Sequence, residues 1–250
     1  MTRSRENYNL ATVLTIMFSQ RGPHFSKNFP ASFGLILLLT LSAANFLFNP
    51  SVFASEEMSV VRLQVEQDTI EKLLREGEIL VIKENQQGGR FKFITAGVLI
   101  NAAPDQVWKT ITDYNHYQEF VPECEKVSVA PGDARHTLFI TFSVAFKFSV
   151  LKYHLNYTLR EVYQKDKWRI DWTRKEGDLA EAIGAWELIP LEGGKKTAVF
   201  YSSYSDLRSI GYLVENLLKE QPVMELAIAS TSAILMARAV KARVEGKELK

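Results

Sequence analysis

The residues of this 250-residue chain that could do chemistry on their own are few and scattered. Its four histidines, His24, His116, His136 and His154, do not fall at the short spacings that bring several ligands onto one metal, so no metal site is expected. Cys124 is the single cysteine, which excludes an intramolecular disulfide and any multi-cysteine metal site. It follows Pro122 and Glu123 with no nucleophile signature around it and reads as a quiet structural thiol. Asp113 opens a short turn through Tyr114, Tyr117 and Phe120 and reads as a cap or turn acceptor rather than a general base. The better place to look is the inward face of the strands: Phe142, Val144, Phe146, Tyr153, Leu155, Tyr157, Trp168, Ile170, Trp172, Tyr201 and Ser203. Aromatic and aliphatic side chains with a few hydroxyls suit an apolar cavity that takes a ligand. Strand parity puts no acid–base pair among them, so proton transfer has no evident agent, although tyrosine hydroxyls as donors leave catalysis open. The competing reading is that these side chains simply fill the core.

Strands must carry these positions. Leu151, Tyr153, Leu155, Tyr157 and Leu159 share one face, and Lys152, His154, Asn156, Thr158 and Arg160 the other, the mark of a sheet with one face buried and one wet. Leu138 to Phe148 alternates likewise. After a turn at Gln164-Lys165-Asp166, Trp168, Ile170 and Trp172 point in and Arg169, Asp171 and Thr173 out. Ala185–Pro190 and Thr197–Leu207 are two further strands joined by a turn at Glu192–Lys195. Upstream, Ile79–Glu84 and Arg90–Asn101 form a hairpin, with Gly97 marking a bulge or bend. Two short helices follow, one opened by Ala103-Pro104-Asp105 and one by Asp113. Ser209 to Val244 is a long helical run that Pro222 breaks. Its second part, from Pro222, is roughly 33 Å long and rich in small residues such as Ala229, Ser232, Ala233 and Ala237, which let a helix approach a sheet closely or leave a space beside it. The loop Glu176–Gly184 and the segment Asp206–Pro222 are read as mobile elements at the cavity mouth.

Residues 1–54 carry Arg3, Arg5, Arg21 and Lys27 against one acid, Glu6, then the uncharged apolar stretch Phe33–Phe48 and a cleavage-type Val52-Phe53-Ala54. They read as a signal peptide or an N-terminal membrane anchor, which makes the chain exported, periplasmic or secreted, or else tethered through residues 33–48. Residues 55–77 read as an N-terminal helical segment. A formal net charge of +1 gives no reason to expect nucleic-acid binding.

Ala103-Pro104-x-x-Val107-Trp108, Asp113-Tyr114-x-x-Tyr117-x-x-Phe120-Val121-Pro122, Gly184-Ala185-Trp186-x-Leu188-x-Pro190 and the long last helix resemble the START-like (SRPBCC) superfamily, in its coenzyme Q-binding and polyketide cyclase/dehydrase branch. The resemblance implies an α+β helix-grip domain over residues 78–246, in which about seven antiparallel strands curl around the last helix. It also implies a deep apolar cavity for a lipid, isoprenoid or polyketide-like molecule. Membrane contact is expected where the apolar segment 33–48 stays uncleaved. No cofactor is expected. The alternatives are a polyketide-type cyclase or dehydratase, and an interaction module with a filled core.

Overall fold

The computed structural model describes residues 13–19, 67–85, 90–148 and 151–247. Nine strands are present among them: β1 (Val13–Ser19), β2 (Gly77–Asn85), β3 (Arg90–Ile100), β4 (Cys124–Pro131), β5 (Thr137–Phe148), β6 (Leu151–Gln164), β7 (Arg169–Gly177), β8 (Ala182–Leu191) and β9 (Lys196–Ser205). They pair antiparallel in the order β1-β2-β3-β9-β8-β7-β6-β5-β4. The run from β3 to β4 in that order is the seven-stranded curved sheet expected of the helix grip. β1 and β2 extend it beyond β3. The hairpin irregularity lies between Lys83 and Glu84 rather than at Gly97, which pairs in register with Ile79 on one side and Phe200 on the other. A residue inserted there would break two ladders at once.

Residues 1–54, expected to be a signal peptide or membrane anchor, lie outside the described residues except for β1. β1 runs along β2 from Val13 opposite Lys83 to Ser19 opposite Gly77. Loss of residues 1–54 would therefore take β1 away and leave β2 as the sheet edge.

Among the described residues five helices accompany the sheet: α1 (Gln67–Glu76), α2 (Pro104–Ile111), α3 (Tyr117–Phe120), α4 (Tyr212–Glu220) and α5 (Pro222–Glu245), with 3-10 turns that include Tyr114–His116 and Leu207–Ile210. α1 caps the outer face, where Leu74 joins Leu99, Ile189, Ala198 and Phe200. α4 and α5 are separated at Gln221, one residue before the proline that cannot continue a helix. α5 lies against β3 and β9 on the inner face. Ala233, Ala237 and Val240, spaced by four and three, are fully buried there, because residues at that spacing share one helix face and alanine holds the backbone close. Gly246 adopts φ 64° and ends α5, with the Lys247 N–H returning to the Ala242 carbonyl at 2.9 Å. By length and composition alone α5 resembles a membrane span, yet this face is packed into the domain.

The outer face departs from simple alternation at Arg169. It was expected to face water but is buried, paired with Asp171 at 2.7 Å and Glu187 at 3.3 Å. An arginine withdrawn from water needs such partners, since an unpaired buried charge costs several kcal/mol. Gly184 has a steric reason for its identity. A Cβ there would collide with the Trp172 ring and the Ser202 carbonyl. Gly184→Ala is expected to lose about 1–3 kcal/mol in urea unfolding through this overpacking. An unchanged midpoint would mean that Trp172 moves aside at no cost.

Candidate functional site

Between the inner face of the sheet and the first half of α5 lies a cavity of about 270 Å³. On the scale of liquid water this is the space of about nine molecules. The cavity exists because α5 changes character along its length. Ala233 and Ala237 seat its middle on the sheet, while Leu226, Ala229, Ser232 and Met236 face the cavity. The opposite side is aromatic. Phe142 stacks on Tyr157 with centroids 5.5 Å apart, and Trp172 stacks on Tyr201 at 5.3 Å, with Trp186 tilted against Tyr201 at 4.6 Å. Tyr117 closes a further side, packing on Phe142 at 6.2 Å and donating its hydroxyl to the Ile111 carbonyl at the end of α2.

One acid lies in this apolar setting. Glu161 lines the cavity and is 5% exposed. Tyr114 and Tyr163 both donate to its Oε2, Tyr163 at 2.6 Å, and their two hydroxyl oxygens are 2.6 Å apart. Burial pushes the Glu161 carboxyl from an ordinary 4.5 up to about 7, against the pull of the two tyrosine hydrogen bonds. The same burial, followed by the charge of Glu161, drives the Tyr114 and Tyr117 phenols well above their ordinary range. Burial pushes Tyr201 up to about 12 and raises the Cys124 thiol, which also lines the cavity. These phenols and the thiol stay protonated at neutral pH, and Glu161 is the group poised to change.

The expectation that no acid faces inward is therefore corrected. The alternation read from the sequence ends at Arg160, but β6 continues to Gln164. Glu161 is the next member of the series Tyr153, Leu155, Tyr157, Leu159. Extending the alternation by one step would have found it, because a strand side chain two residues on returns to the same face.

Of the residues expected to line a cavity, Phe142, Val144, Leu155, Tyr157, Trp172, Tyr201 and Ser203 do so. Tyr153, Trp168 and Ile170 do not, and the Phe146 side chain is outside the described residues. Ile170 is fully buried in packed core. Trp168 adopts φ 54°, a left-handed turn residue ahead of β7, so strand alternation does not apply to it. Its ring meets Trp108 edge-on at 6.0 Å, with the Lys165 ammonium 3.6 Å from its centroid. The Asp113 side chain makes no cap hydrogen bond and meets the His116 ring at 2.7 Å, while the Asp113 carbonyl accepts from the His116 N–H at 3.1 Å, so the residue is a turn acceptor. Among the described residues no group of three or more His, Cys, Asp or Glu is placed to hold a metal.

Of the lining residues Glu123 and Ser232 are exposed, and Leu207 and Glu225 partly so. Two segments meet beside Leu207 and Glu225. The β7–β8 loop is tied to the strap after β9 by Ala180 N–H donating to Ser209 Oγ at 2.8 Å and Asp206 N–H donating to the Glu181 carbonyl at 2.9 Å. The strap is in turn tied to α5 by Arg208 and Glu225 at 2.6 Å, each about 15% exposed. Glu225→Gln is expected to loosen this tie and speed release of a bound probe such as 2-ethylnaphthalene about three- to tenfold in stopped-flow fluorescence, with association quickened as well. Release at the wild-type rate would show that the mouth opens elsewhere.

A family model described as polyketide cyclase/dehydrase and lipid transport matches residues 100–220. Among solved structures the chain is similar to the Zhui aromatase/cyclase of a Streptomyces species, with 18% identity and a TM-score of 0.51 over 62% of this chain and 93% of that one. It is also similar to a STAR-related lipid transfer protein from Xanthomonas axonopodis, with 14% identity and a TM-score of 0.50 over 68% and 94%. At these identities the likeness is one of fold. A search of the curated proteins gives no match.

Proposed function

We propose that this chain, which matches a polyketide cyclase/dehydrase and lipid-transport family model over residues 100–220, binds an apolar small molecule in its internal cavity and shields it from water. The observation that carries this reading is the aromatic-lined space of about 270 Å³ beneath α5. Burying about 300 Å² of apolar ligand surface there contributes about 7 kcal/mol before the costs of ordering, enough for useful affinity without any charged contact. The test is native mass spectrometry of the gently purified protein, followed by organic extraction. A stoichiometric apolar mass supports the reading. A clean apo mass, together with Cys124 alkylation that no apolar probe slows, sinks it, since that thiol lines the cavity and is the only one in the chain.

A second reading, a cyclase or dehydratase acting on a polyketide-like chain, is favoured by one observation: a carboxyl poised near neutral pH lines the cavity. Proton transfer to or from the bound molecule would then run through Glu161. Retention of full turnover of such a substrate by Glu161→Gln would exclude that role.

A further inference from the structure

The cavity sorts its polar atoms in an uneven way. Among the described residues Glu123, Glu161 and Glu225 line it, and no lysine, arginine or histidine does. Glu225 is matched by Arg208. Glu161 is buried and is met, among the described residues, only by hydroxyls. The titratable groups that bear on it are Tyr114 from the 3-10 turn, Tyr117 from α3, Tyr157 and Tyr163 from β6 itself and Tyr201 from β9, with Cys124 of β4 beside them. From α5, Leu226, Ile228, Ala229, Ser232, Leu235 and Met236 line the same cavity, and Glu225 is the titratable group that α5 adds among the described residues. An anionic ligand head would find no counter-charge here.

The hydrogen bonds also divide the two oxygens of Glu161. Both phenol protons are donated to Oε2, and Oε1 takes no hydrogen bond among the described residues. A proton carried on Oε1 leaves both of these hydrogen bonds to Oε2 in place. Oε1–H is then a donor offered to the cavity. An apolar ligand that fills the space strips the remaining solvent from this oxygen and favours the neutral acid further.

Resting on the binding function proposed above, we infer that Glu161 selects the ligand: the cavity takes an apolar molecule whose buried end is an uncharged carbonyl-type hydrogen-bond acceptor, held by Oε1–H, and rejects the corresponding carboxylate. Tyr114 and Tyr163 are positioning residues that keep Oε2 occupied and Oε1 turned to the ligand. Because only the protonated acid donates, affinity is linked to pH. A group protonated below about 7 is competent in acid and loses competence as pH rises. The apparent Kd is the intrinsic value divided by the competent fraction, so it changes little below about pH 6 and weakens about tenfold by about pH 8.

Three naphthalenes of matched shape test this on the full chain by titration calorimetry between about pH 5.5 and pH 8.5: 2-ethylnaphthalene, 2-acetylnaphthalene and 2-naphthoate. The hydrocarbon is expected to bind with little pH dependence. The ketone should bind more tightly than the hydrocarbon in acid, lose about tenfold toward pH 8, and take up a proton there, read from the heat in two buffers of different ionisation enthalpy. The naphthoate should bind at least tenfold more weakly than the ketone near pH 7. Glu161→Gln should flatten the ketone's pH profile and narrow the discrimination against naphthoate. Binding of the hydrocarbon with a flat ketone profile, or equal affinity for naphthoate, overturns the selection role while leaving the cavity a binding site. Binding of 2-(aminomethyl)naphthalene that tightens as pH rises, with the ketone unfavoured, overturns it in favour of a cation site. Failure of all the probes, the hydrocarbon included, overturns it together with the binding reading on which it rests.

Discussion

Glu161→Gln is expected to make the protein more stable than wild type above neutral pH, by about 3 kcal/mol, and less distinguishable from it in acid. The folded-state carboxyl sits at about 7 against an ordinary 4.5, because burial penalises its charge more than Tyr114 and Tyr163 relieve it. The folded protein therefore holds the proton where the unfolded chain has released it. Stability from this group is fully present below about pH 4.5 and falls as pH rises to about 7, opposite to the usual carboxylate held by a salt bridge. Glutamine keeps a carbonyl oxygen for the two tyrosine hydroxyls and carries no charge to desolvate. Urea unfolding of both proteins at about pH 5 and pH 8 reads the effect. Should the stability difference be the same at both values, the acid is not held neutral by its surroundings, and the proton-linked ligand selection loses its support as well.

The second large effect separates packed core from cavity wall. Ile170→Ala should cost about 2–5 kcal/mol in the same unfolding experiment, since Ile170 is fully enclosed by side chains and its removal leaves a void that the sheet cannot close. The binding of 2-ethylnaphthalene should not change. Leu155→Ala, on the cavity wall, should cost less, because one side of Leu155 already faces unfilled space and fewer contacts are lost. It should also widen the cavity and shift preference toward larger probes. A widened ligand range in Ile170→Ala would move that residue from core to wall.

The contrast marks how far sequence alone reaches. The alternation Leu151, Tyr153, Leu155, Tyr157, Leu159 identifies an antiparallel sheet with one buried face, since backbone geometry fixes side-chain direction locally. Pro222 places the helix break and Gly246 the helix end through the dihedral angles each residue allows. The small-residue run in α5 announces a close helix–sheet contact, and with the motifs around Trp108 and Tyr117 it was enough to identify the helix grip. Three matters were decided only in three dimensions. Where β6 stops depends on pairing with β5 and β7, so the inward place of Glu161 is a tertiary fact although its parity is a local one. Trp168 and Ile170 share a parity with Trp172, but only the folded chain shows that one sits in a left-handed turn, one in solid core and one on a cavity. The cavity itself is the difference between two surfaces, a curved sheet and a helix seated on it by Ala233 and Ala237. No stretch of sequence encodes an empty volume, because that volume depends on the distance between elements far apart in the chain. The proton on Glu161 follows from the same distance: a carboxyl is ordinary in the sequence and becomes a near-neutral acid only where folding removes the water around it.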